Sequence, residues 1–424
     1  MNRYDWICLN DEVKVAGEAS HLCLICKGGR MLCGKVSCPI IARARSLVKS
    51  SFLISSESIE GSTPPGVFVG RVGYPKVYVG PMIPPYFGET SILDTPELWV
   101  GRSMDEIIDY RLSLIRGKAR MHISDASKGT HMLDMMQELS MSVSPVDSEA
   151  LFAERPKGVL SLSEDTQPFG PSASLKSFKA FGAKVDEKIE KAYYDRDLKA
   201  FEAVNELYSG GVLISRIQRA FSAGMLGVGD RRRLVPTRWS ITAVDNMLSL
   251  RLIEEIKQYD SLDEYEVYSF GNLGNLFLTI LMPEEWGFEW IEAWFPNTVW
   301  NVEGKAPALM GDHEGYAGRS TYPEVGGCYY SARLAVVEKL KSIRRQAKVL
   351  ALREIHPSYI LPVGVWNVRE SVRSALREEA KKFDNLQSAL NYVSKFLTIP
   401  LSKWIENSSL LKEAFFQRKI TDFK

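Results

Sequence analysis

Hydrophobic positions change period along this chain, and the changes outline its elements. Val67-Phe68-Val69 and Lys76-Val77-Tyr78-Val79 are short β-rich runs punctuated by Gly70, Gly73, Pro75, Gly80 and Pro81. They predict a hairpin or paired strands. A helix is expected over about 103–118. Residues 141–182 are rich in Ser and Pro and weakly periodic, so they read as a long surface connection. Helical signals return at 185–208, dense in Lys, Glu and Ala, and at about 212–224, where Val212, Ile214, Ile217 and Phe221 lie near helical spacing.

Beyond Pro236 the run SITAVDNMLSLRLIEEIKQY predicts a further helix. EYEVYSFGNLGNLFLTILMP predicts two strands around the turn Gly271-Asn272-Leu273-Gly274-Asn275. A long basic helix is expected at about 329–354, with others at about 369–382, 385–397 and 402–416. Asp384 followed by Gln387 fits a capping box, with Asp in place of the usual Ser or Thr. Strands and helices without regular βα alternation indicate an α+β fold of mixed helices and short sheets.

Composition narrows the class. A chain of 424 residues has room for two or three domains. Apolar residues at 45% and charged residues at 25% are ordinary for a soluble protein. No uninterrupted apolar stretch has membrane-spanning length, so no membrane partner is expected. The N-terminus is too polar for a signal peptide, which predicts a cytoplasmic protein. The net charge is only +1, so any nucleic-acid binding must come from local patches.

Four of the six cysteines, Cys23, Cys26, Cys33 and Cys38, cluster as C-x2-C-x6-C-x4-C, while Cys8 and Cys328 stand apart. Clustering in a large chain of this kind argues for a metal site. Gly28, Gly29 and Gly34 permit the turns that would bring the sulfurs to one ion. Four thiolates around Zn²⁺ make a closed structural site that folds a segment poor in apolar surface. An iron–sulfur cluster is the alternative, since Pro39 follows Cys38 as in some cluster motifs; free core cysteines are a third reading. Residues 21–50 also carry Lys27, Arg30, Lys35, Arg43, Arg45 and Lys49 with no Asp or Glu, so the element could contact phosphate.

The sequence closes on QRKITDFK, in which Gln417, Ile420 and Phe423 have the spacing Q-x-x-I-x-x-F. In a clamp-binding peptide this spacing makes one 3₁₀-like turn that plugs apolar side chains into a pocket. Such peptides usually carry a second aromatic where Lys424 stands. The alternative is an amphipathic helix end packed on its own domain. The expected organisation is thus a zinc-binding element at 1–50, an α+β core at 51–300, a helix-rich domain at 301–412 and a clamp-binding tail at 413–424.

Other residues carry candidate chemistry. Arg231, Arg232 and Arg233, with Arg238 and Trp239 close behind, suit a phosphate plus a stacked base; the alternative is a solvated run leading into a helix with Trp239 in the core. Asp312, His313 and Glu314 in GDHEGYAGRSTYPEVGG could hold Mg²⁺ or Mn²⁺ and activate water, unless they form a plain surface loop. The 329–354 helix, with Arg344 and Arg345 among its cations, suits a DNA backbone or a merely solvated face. If GFEWIEAWFPNTVW is a strand, Trp290, Glu292 and Trp294 share one face.

The segments CLICKGGRMLCGKVSCP, PPGVFVGRVGYPKVYVGP, RRRLVPTRWSITAVDN, GGCYYSARLAVVEKL, PSYILPVGVWNVRE and QRKITDFK together resemble the archaeal Nre family of DNA repair proteins. LVPTRWSITAVD is the most specific of them. The resemblance implies an N-terminal zinc-type motif, a role in repair of DNA damage, and a C-terminal motif that binds the sliding clamp PCNA. It implies no assignable reaction. The leading expectation is therefore a DNA-binding repair factor tethered to PCNA. A metal-dependent nuclease or hydrolase acting on damaged DNA, using the Asp312 loop, is the alternative, and an RNA-binding protein is a third.

Overall fold

The computed structural model describes residues 13–16, 21–161, 169–302 and 304–416. These form two compact units. The first comprises described residues through Cys33 together with Ser37–Leu248; the second comprises Gly34–Val36 and described residues from Ser249 onward. The division falls within one helix, Thr237–Ile256.

The first unit holds β1 (Val13–Ala16), β2 (Ser58–Thr63), β3 (Val67–Val69), β4 (Lys76–Ile83), β5 (Ile115–His122), β6 (Val146–Phe152), β7 (Gly158–Ser161) and β8 (Ser172–Phe181). Six of them make a mixed sheet in the order β2-β6-β8-β5-β4-β3, while β1 pairs in parallel with β7. The expected hairpin is β3–β4. Gly80 on β4 lies against the backbone of Gly117 on β5, leaving no room for a Cβ.

The expected helix over 103–118 is Met104–Ser113. Ser103 and Glu106 close a capping box at its start. Leu114 is extended, and the chain turns into β5. The reading of 141–182 as a surface connection is overturned: the segment supplies β6, β7 and β8. Its Ser and Thr side chains misled, because Ser148 sits buried in the sheet bonded to Thr63. The expected helix over 185–208 divides into Glu187–Tyr194 and Ala200–Ser209, broken where Asp195 Oδ1 accepts from the amides of Asp197 and Leu198.

The second unit contains β9 (Tyr265–Asn272), β10 (Asn275–Met282), β11 (Gly287–Trp294), β12 (Ala308–Glu314), β13 (Lys348–Ile355) and β14 (Lys381–Phe383), in the order β12-β11-β13-β10-β9-β14. Leu273 and Gly274, both at positive φ, make the two-residue turn between β9 and β10. One sheet face packs Leu278, Ile280, Ile291, Leu350 and Leu352 against Leu390, Val393, Trp404 and Leu411. The opposite face meets helices Gly327–Ile343 and Trp366–Arg377 through Phe288–Tyr329 and Asn272–Asn367 contacts.

The long basic helix is corrected. It spans Gly327–Ile343, stops where Arg344 adopts a left-handed conformation, and the chain continues as β13. The capping box at Asp384 is corrected as well: Asn385 caps helix Leu386–Val393 through the Ser388 amide. The fold is α+β with two mixed sheets. No helix among the described residues is long and apolar enough to cross a membrane.

Candidate nucleic-acid interface

The sheet of the first unit buries one face and opens the other. Val77, Val79, Ile83, Ile115, Met121 and Ala173 point into the core. Register places Tyr78 opposite Arg120, Lys76 opposite His122, Met82 opposite Arg116, and Phe68 opposite Gly80. Across the parallel ladder, Arg116 faces Ser172 and Lys118 faces Ser174. Directly paired residues share a side. On β3, β4 and β5 the open face therefore carries Phe68, Tyr78, Lys76, Arg116, Lys118, Arg120 and His122, while acids of the same face, Glu149 and Glu60 among them, lie further along the sheet on β6 and β2.

Among the described residues, no acid pairs with Lys76, Arg116, Lys118 or Arg120. The Arg116 guanidinium lies 4.8 Å from the ring centroids of both Phe68 and Phe169, and its buried Nε has no hydrogen-bond partner. Burial lowers its pKa to about 10. Burial, and then the charge of Arg116, lower the Lys118 amine. Arg120 lies 5.8 Å from the Tyr78 ring. Unneutralised cations interleaved with aromatics are the chemistry of a nucleic-acid surface.

At the hairpin end of β4, Tyr74 packs against Trp239 with centroids 5.3 Å apart. Trp239 opens helix Thr237–Ile256 beside exposed Arg238, and the Val69 amide donates to Thr237 Oγ1 at 2.9 Å, tying the helix start to β3. Trp239 is thus not a core residue: it is 46% exposed.

The arginine run divides. Arg231 and Arg233 are exposed, although Arg233 donates to the carbonyls of Asp230 and Arg232. Arg232 is corrected from phosphate ligand to scaffold. Its buried guanidinium donates to the carbonyls of Gly227 and Asp195 and lies 5.3 Å from the Tyr193 ring. Arg344 and Arg345 are corrected in setting, since they follow the helix and do not extend it. Arg344 stacks on Tyr259 and Arg345 pairs with Asp263 at 3.2 Å. Arg333 and Arg353 are buried ion-pair partners of Glu314 and Glu292, and Lys341 pairs with Glu255, so this stretch is largely neutralised.

Asp312, His313 and Glu314 do not converge. They lie on β12, so His313 points to the face opposite the other two. Asp312 accepts from Arg319 at 2.8 Å and from the amides of Glu324 and His313. Glu314 is buried against Arg333 at 2.6 Å. The three are therefore corrected as a shared ligand set: Asp312 and Glu314 each pair with an arginine and His313 lies on the other face, although the buried Glu314 Oε1 has no hydrogen-bond partner. The expected strand over GFEWIEAW is present as β11, with Trp290, Glu292 and Trp294 on one face. Glu292 is held there by Arg353 and by Trp294 Nε1.

The cysteine segment turns tightly, with positive φ at Lys27, Gly28, Met31 and Gly34. The amides of Leu32, Arg30, Gly28 and Met31 reach the Cys26 sulfur and hold its thiol below the usual value against the opposing effect of burial. Cys38 begins helix Pro39–Phe52 as its N-cap. Burial pushes its thiol up, opposed by the amides of Ile41 and Ile40, and the charges of Cys33 and Cys23 add to the rise. A Cβ on Gly28 would lie 3.7 Å from Cys38 Sγ, so the Cys26 turn and Cys38 are neighbours. Amide-cradled sulfurs suit a thiophilic ion. Among the described residues, however, no three His, Cys, Asp or Glu side chains already stand in metal-binding geometry. Gln417, Ile420 and Phe423 lie outside the described residues.

Arg116, Lys118 and Arg120 are not among the sequence candidates, because the helix expected over about 103–118 covers the first half of β5 and hides the strand. The available signal was the period-two run Arg116-x-Lys118-x-Arg120-x-His122, which cannot be one face of a helix.

The family models for "Archaeal Nre, N-terminal" and "Archaeal Nre, C-terminal" match residues 32–301 and 314–423. The chain belongs to the archaeal Nre family. It is 44% identical to DNA repair protein NreB of Archaeoglobus fulgidus over 402 residues, which cover 95% of this chain and 99% of that protein. DNA repair protein NreA of the same organism is 39% identical over 88% of this chain and 93% of its own length. NreA of Haloferax volcanii is 36% identical over 87% and 90%. No solved structure matches the chain.

Proposed function

We propose that this protein acts in DNA repair by binding DNA on the open sheet face of its first unit and docking on PCNA through Gln417, Ile420 and Phe423. The full-length similarity to DNA repair proteins NreA and NreB supports the process. The observation that carries the DNA contact is the cluster of cations and aromatics on the β3–β4–β5 part of the open face, with Lys76, Lys118 and Arg120 around Tyr78 and with Arg238 and Trp239 at the hairpin end. Such a face supplies phosphate contacts and stacking in one place. Cys23, Cys26, Cys33 and Cys38 would hold Zn²⁺, which would supply a structural crosslink for the segment.

Two titrations test this reading. Full-length protein added to labelled DNA should bind, and binding should weaken steeply between about 50 and 200 mM salt. Absence of binding at the lower salt would overturn the DNA contact. Calorimetry against PCNA should give binding that is lost on removal of residues 417–424, and unchanged affinity after truncation would refute docking through the tail.

A further inference from the structure

We infer that the open face takes single-stranded DNA, with an unpaired base seated on Tyr78 and phosphates held by Arg116, Lys118 and Arg120. This rests on the DNA-binding reading above and narrows it to one class of DNA.

Geometry selects against a duplex. Four hydrogen-bonded strands, β3, β4, β5 and β8, lie side by side under this face. At about 4.8 Å per step they span about 14 Å before side chains are counted. The major groove of B-DNA is about 12 Å wide. A four-stranded platform of this breadth stays outside the groove, and its aromatic rings reach no base. Unpaired bases can instead lay a ring face on an aromatic side chain, and every base has such a face.

The cations are laid out in a row. Arg116, Lys118 and Arg120 occupy alternate positions of β5, at about 6.7 Å per step, making a line about 13 Å long. Tyr78, 42% exposed, stands beside the Arg120 end on the neighbouring strand. An extended backbone can run along β5 while its bases turn toward β4. Among the described residues no ion pair engages the three cations of the row, and the crowding of Lys118 by Arg116 is relieved when a phosphate arrives.

A groove opens at the same place. It encloses about 570 Å³, and Tyr78, Lys118, Arg120, Asp125, Thr130 and Met132 line it. That volume lies within the range of small-ligand sites. Tyr78 offers a ring face, Met132 an apolar wall, and Thr130 a hydroxyl for a base edge. Asp125, the acid of the groove, already accepts from the His122 amide at 2.8 Å.

The test is fluorescence anisotropy on the full-length protein with a labelled single strand and a duplex of the same length, at two salt concentrations. Variants are Tyr78→Ala, Tyr78→Phe, Lys118→Gln and Arg120→Gln. Tyr194→Ala removes an exposed aromatic elsewhere and serves as the control. Thermal melting confirms that each variant is folded. The single strand should bind about tenfold tighter than the duplex or better. Tyr78→Ala should lose about tenfold for the single strand alone, Tyr78→Phe should retain binding, and each lost cation should reduce the salt slope by about one. Equal affinity for both DNAs, or Tyr78→Ala matching the parent, would overturn this inference while leaving DNA binding in place. Failure of both DNAs to bind would remove the DNA-binding reading as well.

Discussion

Trp239 leans on Tyr74 with ring planes tilted by 55°, yet about half of each side chain remains exposed. The pair joins the β3–β4 turn to the first turn of a 20-residue helix. A tryptophan that only filled space would be expected deeper in the core, as Trp99 and Trp286 are. Trp239→Ala should therefore weaken DNA binding by about 1–3 kcal/mol. Its stability cost should stay near the 0.5–1.5 kcal/mol or so typical of one aromatic pair. Anisotropy and thermal melting on the same variant separate the two effects. A large loss of stability with unchanged affinity would make Trp239 a packing residue.

Arg116 presents the reverse balance. Its guanidinium lies beside the edge-to-face pair Phe68 and Phe169, its buried Nε has no hydrogen-bond partner, and no acid among the described residues pairs with it. Arg116→Met keeps the length and removes the stranded charge. The variant should be more stable, by on the order of 1 kcal/mol, and should bind DNA more weakly. A destabilised variant with full DNA affinity would show that Arg116 serves the fold.

Glu314 and Arg333 pair at 2.6 Å, with each side chain 1% exposed. Arg333 also donates to Ser249 Oγ. Removing one partner strands the other in the interior. Glu314→Ala should cost about 3–5 kcal/mol by denaturant unfolding. If Glu314→Ala left stability unchanged while abolishing a nuclease activity, Glu314 would return as a catalytic carboxylate.

Asp312 sets an acid limit on the second unit. Burial raises its pKa, but Arg319 and the amides of Glu324 and His313 outweigh that and leave the carboxyl below its ordinary value. A depressed folded-state pKa stabilises the fold above the unfolded value of about 3.9, and the contribution is lost as pH falls through the folded value. Asp312→Asn should therefore be less stable than the parent at neutral pH, with the gap closing below about pH 4. A gap that persisted unchanged at pH 3 would contradict the Arg319 pairing.

The cysteine segment makes a metal prediction. Purified protein should contain zinc in stoichiometric amount, and Cys26→Ser or Cys38→Ser should release it. Elemental analysis decides, and a coloured, iron-bearing protein would favour a cluster instead.

Much of this fold was legible in the sequence. The β3–β4 hairpin, helix Ile214–Ser222 and the β9–β10 turn followed from period and punctuation. Elsewhere tertiary setting overrode local pattern. Ser148 reads as surface but is buried in a sheet, so β6 was hidden in a polar segment. Arg333 and Arg353 read as a basic stripe, yet each is matched by a glutamate distant in sequence. Burial pairs of that kind have no local signature. Arg238 and Trp239 could be singled out from adjacency, whereas Tyr78 and Arg120 became one site only through cross-strand register.

The central claim is that the open face of the first unit's sheet is where DNA lies. Photocrosslinking answers it most directly: a single-stranded oligonucleotide bearing photoreactive thymidine is irradiated on the full-length protein, and the adducts are mapped by mass spectrometry. The account predicts adducts at Tyr78, Tyr74 or Trp239 and on the β5 segment around Lys118. Adducts confined to residues 327–355, with none on β4, β5 or Trp239, would contradict it.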